Sequence, residues 1–224
     1  HEVAKRGEEL LKRRCTWETN KPIVNLDDAK TTDELFTLFL GSSEDVPIQS
    51  RILPASPAVK LKVMTLLSRS IAAADAFPKN IETVKMCLYG EGSTTRLKAS
   101  GMQFTVWMLT HATRQELTLF APSLMSGMIE ILDSRADGSS EGDQTVTFAQ
   151  ESLRGFCYQA LSHLAERDRL SVNSDVLLAE RIFEALDKEP DGVKSYVHES
   201  ARVIVKAYRE SPSTYVQTRM EELI

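Results

Sequence analysis

The sequence predicts an all-α fold, an elongated solenoid of stacked antiparallel helix pairs. Three observations predict it. Apolar residues recur at spacings of three and four in one stretch after another, as on one side of an α-helix. Those stretches are bounded by capping residues, prolines and glycines, the ordinary start and stop signals of helices. Apolar-polar alternation of the kind that marks a half-buried strand is nearly absent.

Tyr89 to Ala112 carries the pattern most fully. Gly90 and Gly92 stop one helix, and Ser93, Thr94 or Thr95 caps the next through a side-chain oxygen. Leu97, Gly101, Phe104 and Met108 then share one face, Met102, Val106 and Leu109 a second, and Trp107 a third. A helix that is apolar on more than one side is sandwiched between neighbours.

From the start of the chain, Glu2 to Arg14 reads as helix and Cys15 to Lys30 as a connection broken at Asn20-Lys21-Pro22. Thr31 and Glu34 form a capping box for a short helix through Phe36 and Phe39 that ends at Gly41. Ser42 to Pro54 is polar and proline-marked, hence loop. Ser56-Pro57 starts a helix expected to run to about Ala74, because proline at the first helical position loses no needed N–H. Pro78 opens the next, closed by Gly90.

Thr113 and Glu116 cap a helix that Pro122 restarts or bends and that ends near Asp133. Ser134 to Gln144, rich in glycine, serine and acid, reads as a loop. Phe148 to Ala165 is helical, with Leu153, Phe156, Cys157, Ala160, Leu161 and Leu164 inward. Ser174 caps a helix holding Ile182 and Phe183, and Pro190-Asp191-Gly192 precedes the stripe Val193, Val197, Ala201, Ile204 and Tyr208. Ser211-Pro212 repeats the earlier start signal.

These helices group as pairs over 57–90, 94–133, 146–188 and 192–224, with 1–56 a partial preceding repeat and connection. First helices are about 37, 52 and 46 residues apart, the middle spacing falling to about 40 without the acidic loop. HEAT and armadillo units are helix pairs of about 40–47 residues, each burying its apolar face only by stacking on the next. Gly101, Gly127 and Gly155 lie inside helices, where each costs about 1 kcal/mol relative to alanine. Close backbone approach between stacked pairs is the expected reason. The chain is read as one continuous segment, 1–224, of a longer polypeptide, with terminal faces covered by neighbours, because it opens on His1 and ends in helix without a stop.

Chemistry is hard to find. A net charge of −5 is mild and disfavours nonspecific nucleic-acid binding, which needs surplus Lys and Arg. Cys15, Cys87 and Cys157 are widely separated, odd in number and in no metal-ligand spacing, so they are expected to be buried free thiols. No apolar run reaches the roughly 18 residues of a membrane span. Gly90-Glu91-Gly92-Ser93-Thr94 lacks the Gly-Lys-Ser/Thr ending of a phosphate cradle. His198-Glu199 is followed by Arg202 where a zinc hydrolase needs its second histidine. His111, His163 and His198 fall on three helices, and nothing assembles an acid, a base and an oxyanion site. No catalytic residue, metal or cofactor is therefore expected. The candidate partner-binding residues are Arg96, Lys98 and Trp107, two cations and an aromatic anchor; the alternative is that Arg96 and Lys98, like Lys60 and Lys62, are solvated helix faces and that Trp107 packs against the adjoining repeat.

Four stretches carry a resemblance: RSIAAADAFP (69–78), YGEGSTTRLKASGMQFTVW (89–107), IFEALDKEP (182–190) and VHESARVIVKAY (197–208). They resemble, in order, the N-terminal HEAT region of large eukaryotic proteasome adaptor and scaffold proteins, the proteasome stabilisers of the extracellular-mutant-twenty-nine type. AERDRL (165–170) lacks the Met-Pro-His usual there. The resemblance implies a non-enzymatic scaffold of the cytoplasm and nucleus. Such proteins bind the core and regulatory particles of the 26S proteasome, stabilise their association and link proteasomes to other components. The competing expectations are another HEAT or armadillo scaffold, such as a transport receptor, and an all-α enzyme.

Overall fold

A computed structural model gives the fold, describing residues 25–134, 144–167, 177–210 and 213–223. The expected helix over Glu2–Arg14, residue Cys15, most of the acidic loop, the Ser174 cap and the Ser211-Pro212 start lie outside the described residues.

Among the described residues the chain is helix and connection, with no strand. The helices are α1 (Ala29–Leu40), α2 (Pro57–Leu67), α3 (Ile71–Ala74), α4 (Lys79–Tyr89), α5 (Thr95–His111), α6 (Arg114–Asp133), α7 (Gln144–Arg167), α8 (Leu177–Lys188), α9 (Asp191–Arg209) and α10 (Thr214–Leu223). They stack as an all-α solenoid. One layer runs α2, α5, α7, α9, each packed on the next; α4, α6 and α8 lie against α5, α7 and α9 respectively.

Beside that layer the pairings are α4 with α5, α6 with α7 and α8 with α9, one helix out of phase with the divisions drawn over 57–90, 94–133 and 146–188, whereas α9 and α10 of 192–224 do pack together. Helices α5 and α6 are consecutive, yet they share little surface. Spacing alone does not distinguish the two phases, because cutting a periodic array anywhere leaves the period unchanged.

Capping chemistry sets several boundaries as the sequence indicates. Thr94 accepts from Leu97 N at 3.2 Å, and Thr113 from Glu116 N at 3.4 Å. Gly41, at φ 91°, ends α1 in a conformation that suits glycine. Pro57 stands at the first position of α2.

Others need correction. Helix α1 starts before Thr31, capped by Asp28, whose carboxylate accepts from Thr31 N at 2.9 Å. The helix expected over 57–74 breaks after Leu67. Asp27 accepts the Ile71 N–H at 2.6 Å and the Ala72 N–H at 3.3 Å, while Ser70 donates to Leu26 O at 2.7 Å. Ser70 caps α3 locally, accepting from Ala73 N at 3.0 Å, and the chain just before α1 supplies the further contacts to its first turn, which a window around residue 70 does not contain. Helix α6 runs through Pro122 without a restart.

The core is continuous along the stack. Phe36, Leu67, Phe104, Leu109, Leu161, Ile182, Val193 and Tyr208 are all fully buried. Glycine serves side-chain packing here, not backbone approach. A Cβ on Gly101 would overlap the Cys87 side chain of α4, and one on Gly155 would overlap the Tyr196 ring of α9. Gly127 has no such crowding, with only the Tyr89 hydroxyl at 3.4 Å.

Candidate interaction surfaces

The three predicted partner-binding residues lie on α5, but their surroundings differ. Arg96 is exposed and Lys98 half-buried near the start of the helix, where they follow the Gly92-Ser93-Thr94 turn. Gly92 adopts φ 71°, and Ser93 Oγ donates to the carbonyl of Cys87. That turn is a helix stop and cap, as the missing phosphate-gripping ending implied.

Trp107, half-buried further along α5, is held within the molecule. Its Nε1–H donates to Ser70 O at 2.8 Å, and its ring stacks on His111 at 3.7 Å between centroids. An indole with its one donor satisfied and one face covered packs the α3–α5 junction. Lys60 lies over the Phe39 ring, 5.0 Å from its centroid, so part of that cation's environment is aromatic.

The histidines are less scattered than their sequence positions suggest. His111 at the end of α5 and His163 near the end of α7 are close enough for their charges to interact. Burial holds the His163 pKa below its ordinary value, against the pull of Glu166 at 4.0 Å. His198 lies on α9, near Arg202, Lys206 and Arg209 around an open groove of about 610 Å³ floored by Phe183, Leu186, Ala201 and Val205. Among the described residues, no group of three or more His, Cys, Asp or Glu side chains is placed to hold a metal ion. Cys87 and Cys157 are buried free thiols; burial pushes the Cys87 pKa up to about 12 and Cys157 upward too. A thiol so raised is a poor nucleophile near neutral pH.

Helix α7 carries the polar contacts that sequence reasoning missed. Arg167, its last residue, donates to Leu109 O at 2.7 Å and Ala112 O at 2.6 Å, capping the C-terminus of α5. Arg154 donates to Leu132 O at the end of α6 and to the Glu189 carboxylate before α9. Tyr158 also donates to Glu189, at 2.7 Å. Burial alone would raise the Glu189 pKa; the hydrogen bonds from Arg154 and Tyr158, with the arginine's charge, bring it below the usual carboxylate range. Outside this junction, Arg181 of α8 pairs with Asp133 of α6, and Arg219 of α10 with Glu180 of α8 at 2.7 Å. No local motif marks these residues, since each partner lies 22 or more positions away in the chain.

Fold and contacts together define a class: a helical solenoid whose prominent features are surfaces and inter-helix clasps. Residues 1–224 match the family described as "Proteasome component ECM29, N-terminal", and the chain belongs to that family. It is similar to the human protein named "Proteasome adapter and scaffold protein ECM29", with 24% identity over 235 residues. That similarity covers 100% of this chain and 12% of the relative, so the chain spans about an eighth of the relative's length. No solved structure matches it. No described helix is long and apolar enough to cross a membrane.

Proposed function

We propose that this chain is one HEAT-repeat segment of a non-enzymatic adaptor that binds the 26S proteasome. In this reading the adaptor stabilises the association of core and regulatory particles and links proteasomes to other cellular components, in cytoplasm and nucleus. The carrying observation is the family match along all 224 residues. The architecture is suited to that work. A solenoid gives long surface in which each repeat holds its neighbours, so a partner can be contacted at several places along one array.

Arg96 and Lys98, in the first turn of α5, are the proposed partner contacts, with Trp107 fixing the α3–α5 junction near the other end of the helix. The whole stretch 1–224 acts as one continuous unit. The test is co-purification of the full-length protein with proteasomes in gentle, low-salt buffer. Stoichiometric recovery with both particles is expected; persistent absence of proteasome subunits contradicts the proposal.

A further inference from the structure

The loop between α1 and α2, residues 42–55, is built unlike an ordinary polar connection. Its neck is closed by paired contacts: Ser42 N donates to Ile52 O at 2.9 Å, Ile52 N donates to Ser42 Oγ at 2.9 Å, and Ala55 N donates to Leu38 O at 3.1 Å. Its tip is tied by Arg51, whose Nε donates to Val46 O at 2.7 Å and whose Nη2 donates to Glu44 O. A single 3-10 turn over Ile48–Ser50 follows Pro47, with Ser50 N donating to Pro47 O at 2.8 Å. This is a compact loop with its ends together, held by its own hydrogen bonds.

What it presents to water is apolar. Ile48 is 81% exposed and Leu53 80%, with Ile52 at 51% and Leu38, on the turn of α1 where the loop closes, at 39%. Single exposed aliphatics are common on any surface, but several together on one fixed loop are not. Beside them stand Glu44 and Asp45, both exposed, while the loop's one cation, Arg51, is turned to the loop's own carbonyls, so the loop keeps a net charge of −1. A complementary surface is therefore an aliphatic-lined pocket with a Lys or Arg rim. Because folding has already fixed the loop's backbone, docking would order little further chain.

We infer that this loop is a preformed plug that seats Ile48 and Leu53 in an apolar, basic-rimmed pocket of a proteasome subunit. The identity of that partner rests on the proposed function; the chemistry of its pocket rests on the loop. The test measures binding of the full-length protein to purified proteasomes. The I48S/L53S double variant is expected to bind at least tenfold more weakly with an unchanged melting temperature, since both side chains already lie in water. R51A, which unties the tip and leaves the aliphatics in place, is expected to bind severalfold more weakly. Affinity of I48S/L53S within twofold of the parent protein overturns the plug alone. Failure of the parent protein to bind proteasomes overturns the function and the plug with it. A photo-crosslinking residue at Ile48 is expected to trap a proteasome subunit. Trapping only this chain's own residues, or a second copy, overturns the assignment whatever the double variant does.

Discussion

Arg154, in the middle of α7, is clasped to Glu189 at the foot of α9, Nε to Oε2 at 2.9 Å, with the carboxylate side chain 6% exposed. The same guanidinium reaches Leu132 O at 3.3 Å. One side chain therefore holds the ends of α6 and α8 and the start of α9 to α7. Replacing Glu189 by Ala leaves that cation without its counter-charge and is expected to destabilise the protein by about 3 kcal/mol, the low end for a broken buried pair because Arg154 keeps some solvent. Urea unfolding checks this, and a loss below about 1 kcal/mol would show that water replaces the carboxylate.

The clasp has a pH signature. The Glu189 pKa lies below the ordinary carboxylate value in the folded chain, so the group stabilises the fold at pH above its unfolded value, roughly 4.3. That contribution is lost as pH falls through the lower folded value. The melting-temperature gap between the parent protein and E189Q is therefore expected to be largest above about pH 5 and to shrink toward pH 3. A gap that stays constant over that range refutes the linkage.

Gly155 separates helix propensity from packing. Alanine is intrinsically the better helix former by about 1 kcal/mol. Its Cβ would nevertheless run into the ring of Tyr196, which also packs edge-on against Phe156 at 5.7 Å between centroids. G155A is expected to lower stability despite the propensity gain, and Y196A to remove the added penalty, a coupling that a double-mutant cycle reads directly.

Much of the fold is legible in the sequence because its determinants are local. Thr94 and Thr113 cap within three residues, Gly41 stops α1, and the stripe on α5 needs only a helical period. The phase of pairing, the hold of Asp27 on the first turn of α3 and the roles of Arg154 and Arg167 are not legible, because Asp27, Glu189 and Leu109 reach their partners across 31 to 58 residues, the lower figure being Tyr158 to Glu189; the Ser70 cap of α3, by contrast, is local. On the candidate surface, the helical period of α5 is enough to place Arg96 in solvent, whereas the acceptor of the Trp107 indole, Ser70 O, lies across the α3–α5 junction, 37 residues away, and no helical wheel contains it.

Burial between stacked helices makes Phe104 and Leu161 sensitive positions. Both are fully buried, and truncation of either to Ala is expected to cost about 2–5 kcal/mol, read as a lower urea midpoint. An unchanged midpoint for either would remove it from the seam.

The buried thiols give a rapid check on the intact stack. With Cys15 replaced by Ser, native protein at pH 8 is expected to leave Cys87 and Cys157 unmodified by a thiol-reactive dye, and urea to expose both. Fast native labelling would mean that the α4–α5 and α7–α9 packing opens readily.

The most direct measurement of the central claim, a solenoid segment serving as a proteasome docking surface, is a lysine crosslinking map of the intact protein on purified 26S proteasomes. The account predicts crosslinks from this segment, Lys98 among them, to proteasome subunits, together with internal crosslinks that respect the α5–α7–α9 stack. A map in which this segment crosslinks only within its own chain, while other parts of the protein reach the proteasome, would contradict it.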